Sequence, residues 1–226
     1  MSFKEFKKEL NGNRIEGELV RTIFYSLITS FIILGIFYYF RFKSINNFIP
    51  TYGFYLFFIV LSYALVVPTI RQIRAYKKMA CMGGMMVGMT VGMMSGFLAG
   101  YFIGATNGMF IGGVFGMSIG IFLGIWMGSC CGIMGIMEGT MAGFMGGWMG
   151  AMTAVMLIND NLKLASILIF IVCAVILFSL NYMIYLETRK EERQLKEDHF
   201  ITIIISLILT LATALIMVYG PRSALF

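Results

Sequence analysis

Residues 81–158 read CMGGMMVGMTVGMMSGFLAGYFIGATNGMFIGGVFGMSIGIFLGIWMGSCCGIMGIMEGTMAGFMGGWMGAMTAVMLI, and glycine falls on every fourth position from Gly84 to Gly132 without a miss. A step of four is slightly more than one helical turn, so each run of these glycines draws a strip without side chains along one helix. Such strips let backbones approach closely inside a membrane. The same stretch holds sixteen of the chain's 20 methionines and three of its four cysteines, Cys81, Cys130 and Cys131.

Seventy-eight residues with almost no charge are too long for one membrane crossing, which takes about 20 residues. The stretch must fold back on itself, and two places suit a break. One is Ala105-Thr106-Asn107-Gly108, where Asn-Gly is a turn signal. The other is Ser129-Cys130-Cys131-Gly132, where the glycine rhythm slips from four to three. Three helices result, over 82–104, 109–128 and 134–158, and they form a glycine-zipper core within 79–158. Its packing positions are Gly84, Gly88, Gly92, Gly96, Gly100 and Gly104 on the first helix, Gly112, Gly116, Gly120 and Gly124 on the second, and Gly139, Gly143 and Gly147 on the third.

Outside this core the chain is just as apolar. A composition of 59% hydrophobic and 12% charged residues, with mean hydropathy +0.88, leaves no material for a soluble domain. The fold class is all-α, a polytopic membrane bundle of about seven spans. Two peripheral spans occupy 21–78, as 22–40 and 48–70, behind a mixed-charge lead at 1–20. Two more occupy 159–226, as 164–186 and 200–219, joined by a charged loop at 187–199. Tyrosines near the ends of the first two spans fit an interfacial belt. The first apolar run begins too late, after too many acids, for a removable signal, and Ser2 replaces the glycine that myristoylation needs.

Charge sets the expected orientation. With the N-terminus in the cytoplasm, the segments on that side carry 13 of the 17 Lys and Arg and the others carry four, as the positive-inside rule requires. The chain is then a multi-pass protein of the cell membrane with an outward C-terminus. Its net charge of +6 sits in short blocks between apolar runs, so it serves topology and lipid headgroups and not nucleic acid.

That orientation puts Cys81, Cys130 and Cys131 at one cytoplasmic end, as thiols. Met82, Met85, Met89 and Met93 repeat with identical spacing 52 residues later as Met134, Met137, Met141 and Met145. Each set lies along one helix face, and the duplication suggests methionines paired at matched depths. Thiolate and thioether are soft ligands that select monovalent copper or a similar ion. Two readings of the set follow. In one it handles a soft metal ion, as a transporter or a metal-binding membrane component. In the other, methionine fills the irregular gaps that glycine leaves, and the chain is a structural or oligomeric protein without a metal role. The GxxxG faces would also suit a homo-oligomer.

Methionine spacing together with GxxxG resembles, in ligand type, the eukaryotic high-affinity copper transporters, which carry an MxxxM pair and a GxxxG in short three-span subunits. The likeness covers Met85–Met93 and Met137–Met145 and lacks that family's Met-rich extracellular tail; it implies monovalent copper as cargo.

Other chemistry finds no residues. There is no Ser/His/Asp set and no phosphate-binding loop, so the chain does not read as an enzyme. His199 is the only histidine and sits in the charged loop, which leaves no histidine zinc site. Glu138 lies one turn into a span, where a carboxylate is costly unless it reaches water or serves a function. Asn107 and Asn181 read as turn or hydrogen-bonding residues, and Cys173 as a small buried hydrophobe.

Overall fold

A computed structural model describes residues 15–40, 52–75, 81–188 and 199–221. Seven α-helices follow in order: α1 Ile15–Phe40, α2 Phe54–Ala75, α3 Cys81–Asn107, α4 Met109–Gly128, α5 Ile133–Met156, α6 Leu162–Thr188 and α7 His199–Tyr219. Five of them, α1 to α4 and α6, carry stretches long and apolar enough to cross a membrane, while α7 offers the shorter apolar segment Ile203–Tyr219. Helix α5, with six glycines, two threonines and Glu138, is less apolar than these five, although it lies beside α3 and α4 along its length.

A helix as rich in glycine as α5 would be a poor prospect in water, at about 1 kcal/mol lost per glycine relative to alanine. Inside a bilayer the balance changes, because every backbone N–H and C=O must be bonded within the segment and the helix is the only open-chain solution. Glycine therefore costs little as a helix former there and supplies the close approach. Both breaks of the core come at a glycine with positive φ, Gly108 at 105° and Gly132 at 69°. A short 3₁₀ turn, Ser129–Cys131, precedes the second.

The three core helices pack on one another more extensively than any other helices of the bundle. Their glycines mesh in levels. A Cβ built on Gly92 would lie 3.0 Å from Gly139 O and 3.1 Å from Gly124 Cα; one on Gly96 would lie 3.1 Å from both Gly116 O and Gly143 O. Gly100 meets Gly147 and Gly116, and Gly104 meets Ala151 and Gly112, so each step of four on α3 is matched on α4 and α5. Numbers rise together on α3 and α5, which are parallel, and fall on α4, which is antiparallel to both. All thirteen glycines assigned to packing lie in this trio, and every one except Gly84 faces backbone or Cβ atoms of a neighbouring helix. Gly84 faces the Cys130 and Cys131 sulfurs instead.

Side-chain packing begins where the trio ends. Val87, Val91, Leu98, Tyr101 and Phe102 on α3, with Leu123 and Met127 on α4, interlock with Ile59, Tyr63, Val66 and Ile70 on α2, Leu177 and Ile184 on α6, and Met217 on α7. Helix α1 docks on α2 and α7. Those contacts carry stripes of small hydroxyls, Thr22, Ser26 and Ser30 on α1 and Ser206, Thr210 and Thr213 on α7, all buried. Thr29 Oγ1 and Ser206 Oγ approach to 3.3 Å across that seam. Helix α5 stands apart: its extensive packing is on α3, α4 and the 3₁₀ turn, and its opposite face is exposed.

The second helix differs from the expected 48–70. It runs through Pro68 and past the first basic residue to Ala75. Arg71 and Gln72 are buried rather than flanking: Arg71 donates to the Thr22 hydroxyl at 3.3 Å and Gln72 Nε2 to Asn181 O at 3.3 Å. A polar side chain with acceptors on neighbouring helices need not mark the end of a span. The expected interfacial lead and most of the charged loop, 189–198, lie outside the described residues.

Candidate functional site

At one end of the bundle the 3₁₀ turn presents two thiols. Cys130 is exposed and Cys131 half-buried; their sulfurs are 3.9 Å apart, and Cys130 Sγ donates to Met127 O at 3.3 Å. The turn is pressed against the first turn of α3, where a Cβ on Gly84 would collide with Cys131 Sγ and lie 2.8 Å from Cys130 Sγ. Since α3 begins at Cys81, one helical turn before Gly84, the third cysteine of the expected cluster starts the helix that abuts the other two. The Cys81 side chain lies outside the described residues. Among those described, no three His, Cys, Asp or Glu side chains converge as a metal site.

The methionines take a different place. Met134, Met137, Met141, Met145, Met149, Met152 and Met156 are each 44–68% exposed, on the side of α5 that faces away from α3 and α4. Its glycines 135, 139, 143, 146, 147 and 150 are all buried on the packed side. On α3, Met82 and Met89 are exposed with Met86, while Met85 and Met93 are half-buried. Threonines between them return their hydroxyls to their own helix, Thr90 to Met86 O at 2.6 Å, Thr140 to Met137 O at 2.7 Å and Thr153 to Met149 O at 2.7 Å. Sulfur and the exposed Glu138 carboxylate are the donor atoms that the side chains of the exposed α5 face offer, beside the exposed apolar Ile133 and Phe144.

Pairing of the duplicated methionines at equal depth does not survive the packing. The duplication relates residues 52 apart, whereas the helices mesh Gly92 with Gly139 and Gly96 with Gly143, 47 apart. Met89 is therefore level with Ile136, and Met141 with Met94, a displacement of about 7.5 Å at 1.5 Å per residue. Backbone meshing decides depth here, and the glycines, not the methionines, set it.

Met93 and Met94 also face α6, where with Phe97, Leu168, Val172 and Cys173 they border an apolar cavity of about 240 Å³. Cys173 is buried there, as a small hydrophobe. Glu138 makes no ion pair or hydrogen bond among the described residues. Asn107 does more than turn the chain: fully buried, it accepts from Thr106 Oγ1 at 2.8 Å and donates from Nδ2 to Ile216 O at 3.1 Å and Gly220 O at 3.2 Å. It thereby caps the carbonyl end of α7. Tyr101 ties α3 to α6 in the same manner, its hydroxyl 3.2 Å from Ser166 Oγ. Sequence reasoning passed over the hydroxyl stripes of α1 and α7; their four-residue and three-residue spacings, 22/26/30 and 206/210/213, were the available signal.

Compared with protein-family models, with curated proteins and with solved structures, the chain matches none.

Proposed function

We propose that this chain is a multi-pass protein of the cell membrane that handles a soft metal ion, monovalent copper or one like it, through the cytoplasmic thiols and an outward ladder of methionine sulfur. The observation that carries the reading is the contrast between surfaces. The exposed faces of α1, α6 and α7 are built mainly from Ile, Leu, Phe, Val and Tyr, the ordinary lipid-facing set, whereas α5 exposes seven methionines and a carboxylate beside Ile133 and Phe144. Gap-filling methionines would lie between the glycine helices. These lie outside them, which weighs against the packing-only reading. From Met134 to Met156 the ladder extends about 33 Å, near the full hydrocarbon thickness.

Seven spans with a cytoplasmic N-terminus accommodate it. Helix α5 meshes level by level with α3 and α4, so it shares their depth despite its lower hydropathy, and the Lys and Arg tally orients the whole. Because the glycine faces are already used within one protomer, a second copy would join through the methionine face and complete the coordination of an ion there.

The test replaces Met137, Met141 and Met145 by Leu together. Exposed Met→Leu changes keep volume and apolar character, at under about 1.5 kcal/mol even in a packed core, but leave no donor atom. Purified protein in detergent should stay folded and lose bound silver or copper measured by mass spectrometry, and a Cys130→Ser/Cys131→Ser variant should lose it as well. Unchanged metal content in both folded variants would remove the metal function and leave the scaffold.

A further inference from the structure

Of the glycines assigned to packing, Gly84 alone has sulfur as its nearest neighbour. A Cβ there would collide with Cys131 Sγ and lie 2.8 Å from Cys130 Sγ. Successive residues of a 3₁₀ turn project about 120° apart round its axis, so Cys130 and Cys131 would ordinarily point away from each other. In the Ser129–Cys131 turn they converge instead, and their sulfurs stand 3.9 Å apart over the notch that glycine leaves in the first turn of α3. Both are thiols, one exposed and one half-buried, so the pair can be reached from outside the bundle.

Two thiols held side by side favour a soft centre that takes two sulfurs at an angle. With bonds to sulfur of about 2.3 Å, a linear ion would set its sulfurs about 4.6 Å apart, twice the bond length. The observed 3.9 Å corresponds instead to an angle of about 115° at a shared centre, whose half-angle has the sine 3.9/4.6. Among the described residues no third His, Cys, Asp or Glu joins the pair. Trivalent arsenic that carries one organic group meets both conditions. Its lone pair bends its bonds, and it has only two positions left to exchange.

We infer that Cys130 and Cys131 form a binding site for a monosubstituted trivalent arsenical. In R–As(OH)₂ two As–O bonds break and two As–S bonds form. The thiol protons leave with the oxygens as two waters, and arsenic stays trivalent, so no oxidant or reductant is consumed. Cys130 gives up its hydrogen bond to Met127 O, and the organic group projects on the side where Cys130 is exposed. The site goes beyond the soft-ion reading: it shares the turn with that reading but makes no use of the methionine ladder.

The experiment uses the reduced full chain in detergent, with phenylarsine oxide as the probe and intact-protein mass spectrometry as the readout. One phenylarsenic per chain is expected. The adduct should survive excess 2-mercaptoethanol and be stripped by 1,2-ethanedithiol, because only a chelating pair competes with a chelating pair. Cys130→Ser and Cys131→Ser should each lose the resistance to monothiol, whereas Cys81→Ser and Cys173→Ser should retain it. Gly84→Ala, which drives a methyl group into both sulfurs, should release the probe at a several-fold lower dithiol concentration. Replacing Met137, Met141 and Met145 by Leu should leave the adduct as it is in the parent, whatever becomes of silver. An adduct that 2-mercaptoethanol removes from the parent, resistance that survives either serine change in the turn, resistance lost with Cys81→Ser, or a Gly84→Ala chain that holds the probe as tightly as the parent would each overturn the site. Loss of the adduct in the methionine variant would overturn it as well and leave the soft-ion reading standing.

Discussion

Gly120 and Gly143 meet without any side chain between them: a Cβ on Gly120 would stand 2.9 Å from Gly143 Cα and 2.8 Å from Gly92 O. Three backbones thus converge at one level, close enough for Cα–H···O contacts and dense dispersion to replace the side-chain interdigitation of an ordinary core. Substituting Gly120 by Ala should push two helices apart and destabilise the protein by about 1–3 kcal/mol, the usual cost of overpacking. Gly35 on α1 has nothing within 4 Å of its Cβ position, so Gly35→Ala should be neutral or stabilise by up to about 1 kcal/mol. Thermal unfolding in a mild detergent compares them, and equal midpoints would contradict the meshed core.

Asn107 holds the turn end of the core to the carbonyl end of α7 through two donated hydrogen bonds. Asn107→Ala removes two donated bonds to half-buried carbonyls, of which Ile216 O keeps the one from Gly220 N–H, for a loss of about 1–3 kcal/mol at roughly 0.5–1.5 per bond. Hydrogen exchange should rise locally around 216–220 before it rises in α3. Faster exchange spread evenly over the bundle would mean that Asn107 supports general packing and not this junction.

Thiol reactivity tests geometry and orientation together. Cys130 is exposed and Cys131 half-buried at the bundle end, whereas Cys173 is only 4% exposed between helices. A membrane-impermeant maleimide should label Cys130 fully and Cys131 more slowly in inside-out vesicles, leave Cys173 unlabelled, and label neither of the first two in intact cells. Tags should agree, with 189–198 reporting cytoplasm and the C-terminus the exterior. Labelling of Cys130 from outside intact cells would invert the orientation.

Much of this architecture could be read before any coordinates. The helix breaks at Gly108 and Gly132 were visible as an Asn-Gly pair and as a slip in the glycine rhythm, because a turn between tightly packed helices needs residues free of Cβ restrictions. Burial of Arg71 and Gln72 was not visible, since a charge near a span's end resembles a flank unless its acceptors on α1 and α6 are known. Nor was the register of α3 against α5. The methionine repeat suggested one offset and the glycine repeat is compatible with several, so the difference between them emerges only from which backbones touch. The outward position of the α5 methionines was half legible: glycine and methionine fall on opposite sides of the helix, but whether another helix covers the second side depends on the whole bundle.

A seam that repeats every four residues has a further property. Sliding one core helix past another by a single repeat, about 6 Å, would return most glycines to equivalent partners, so the zipper behaves as a ruler with identical marks and stores little information about which mark is correct. The unique alignment has to be written by features that do not repeat: the tight turns at Gly108 and Gly132 that join the core helices, and Ala151 where the glycine series of α5 stops opposite Gly104. These few features act as the index pins of the core, and their removal would free neighbouring alignments to compete with the native one.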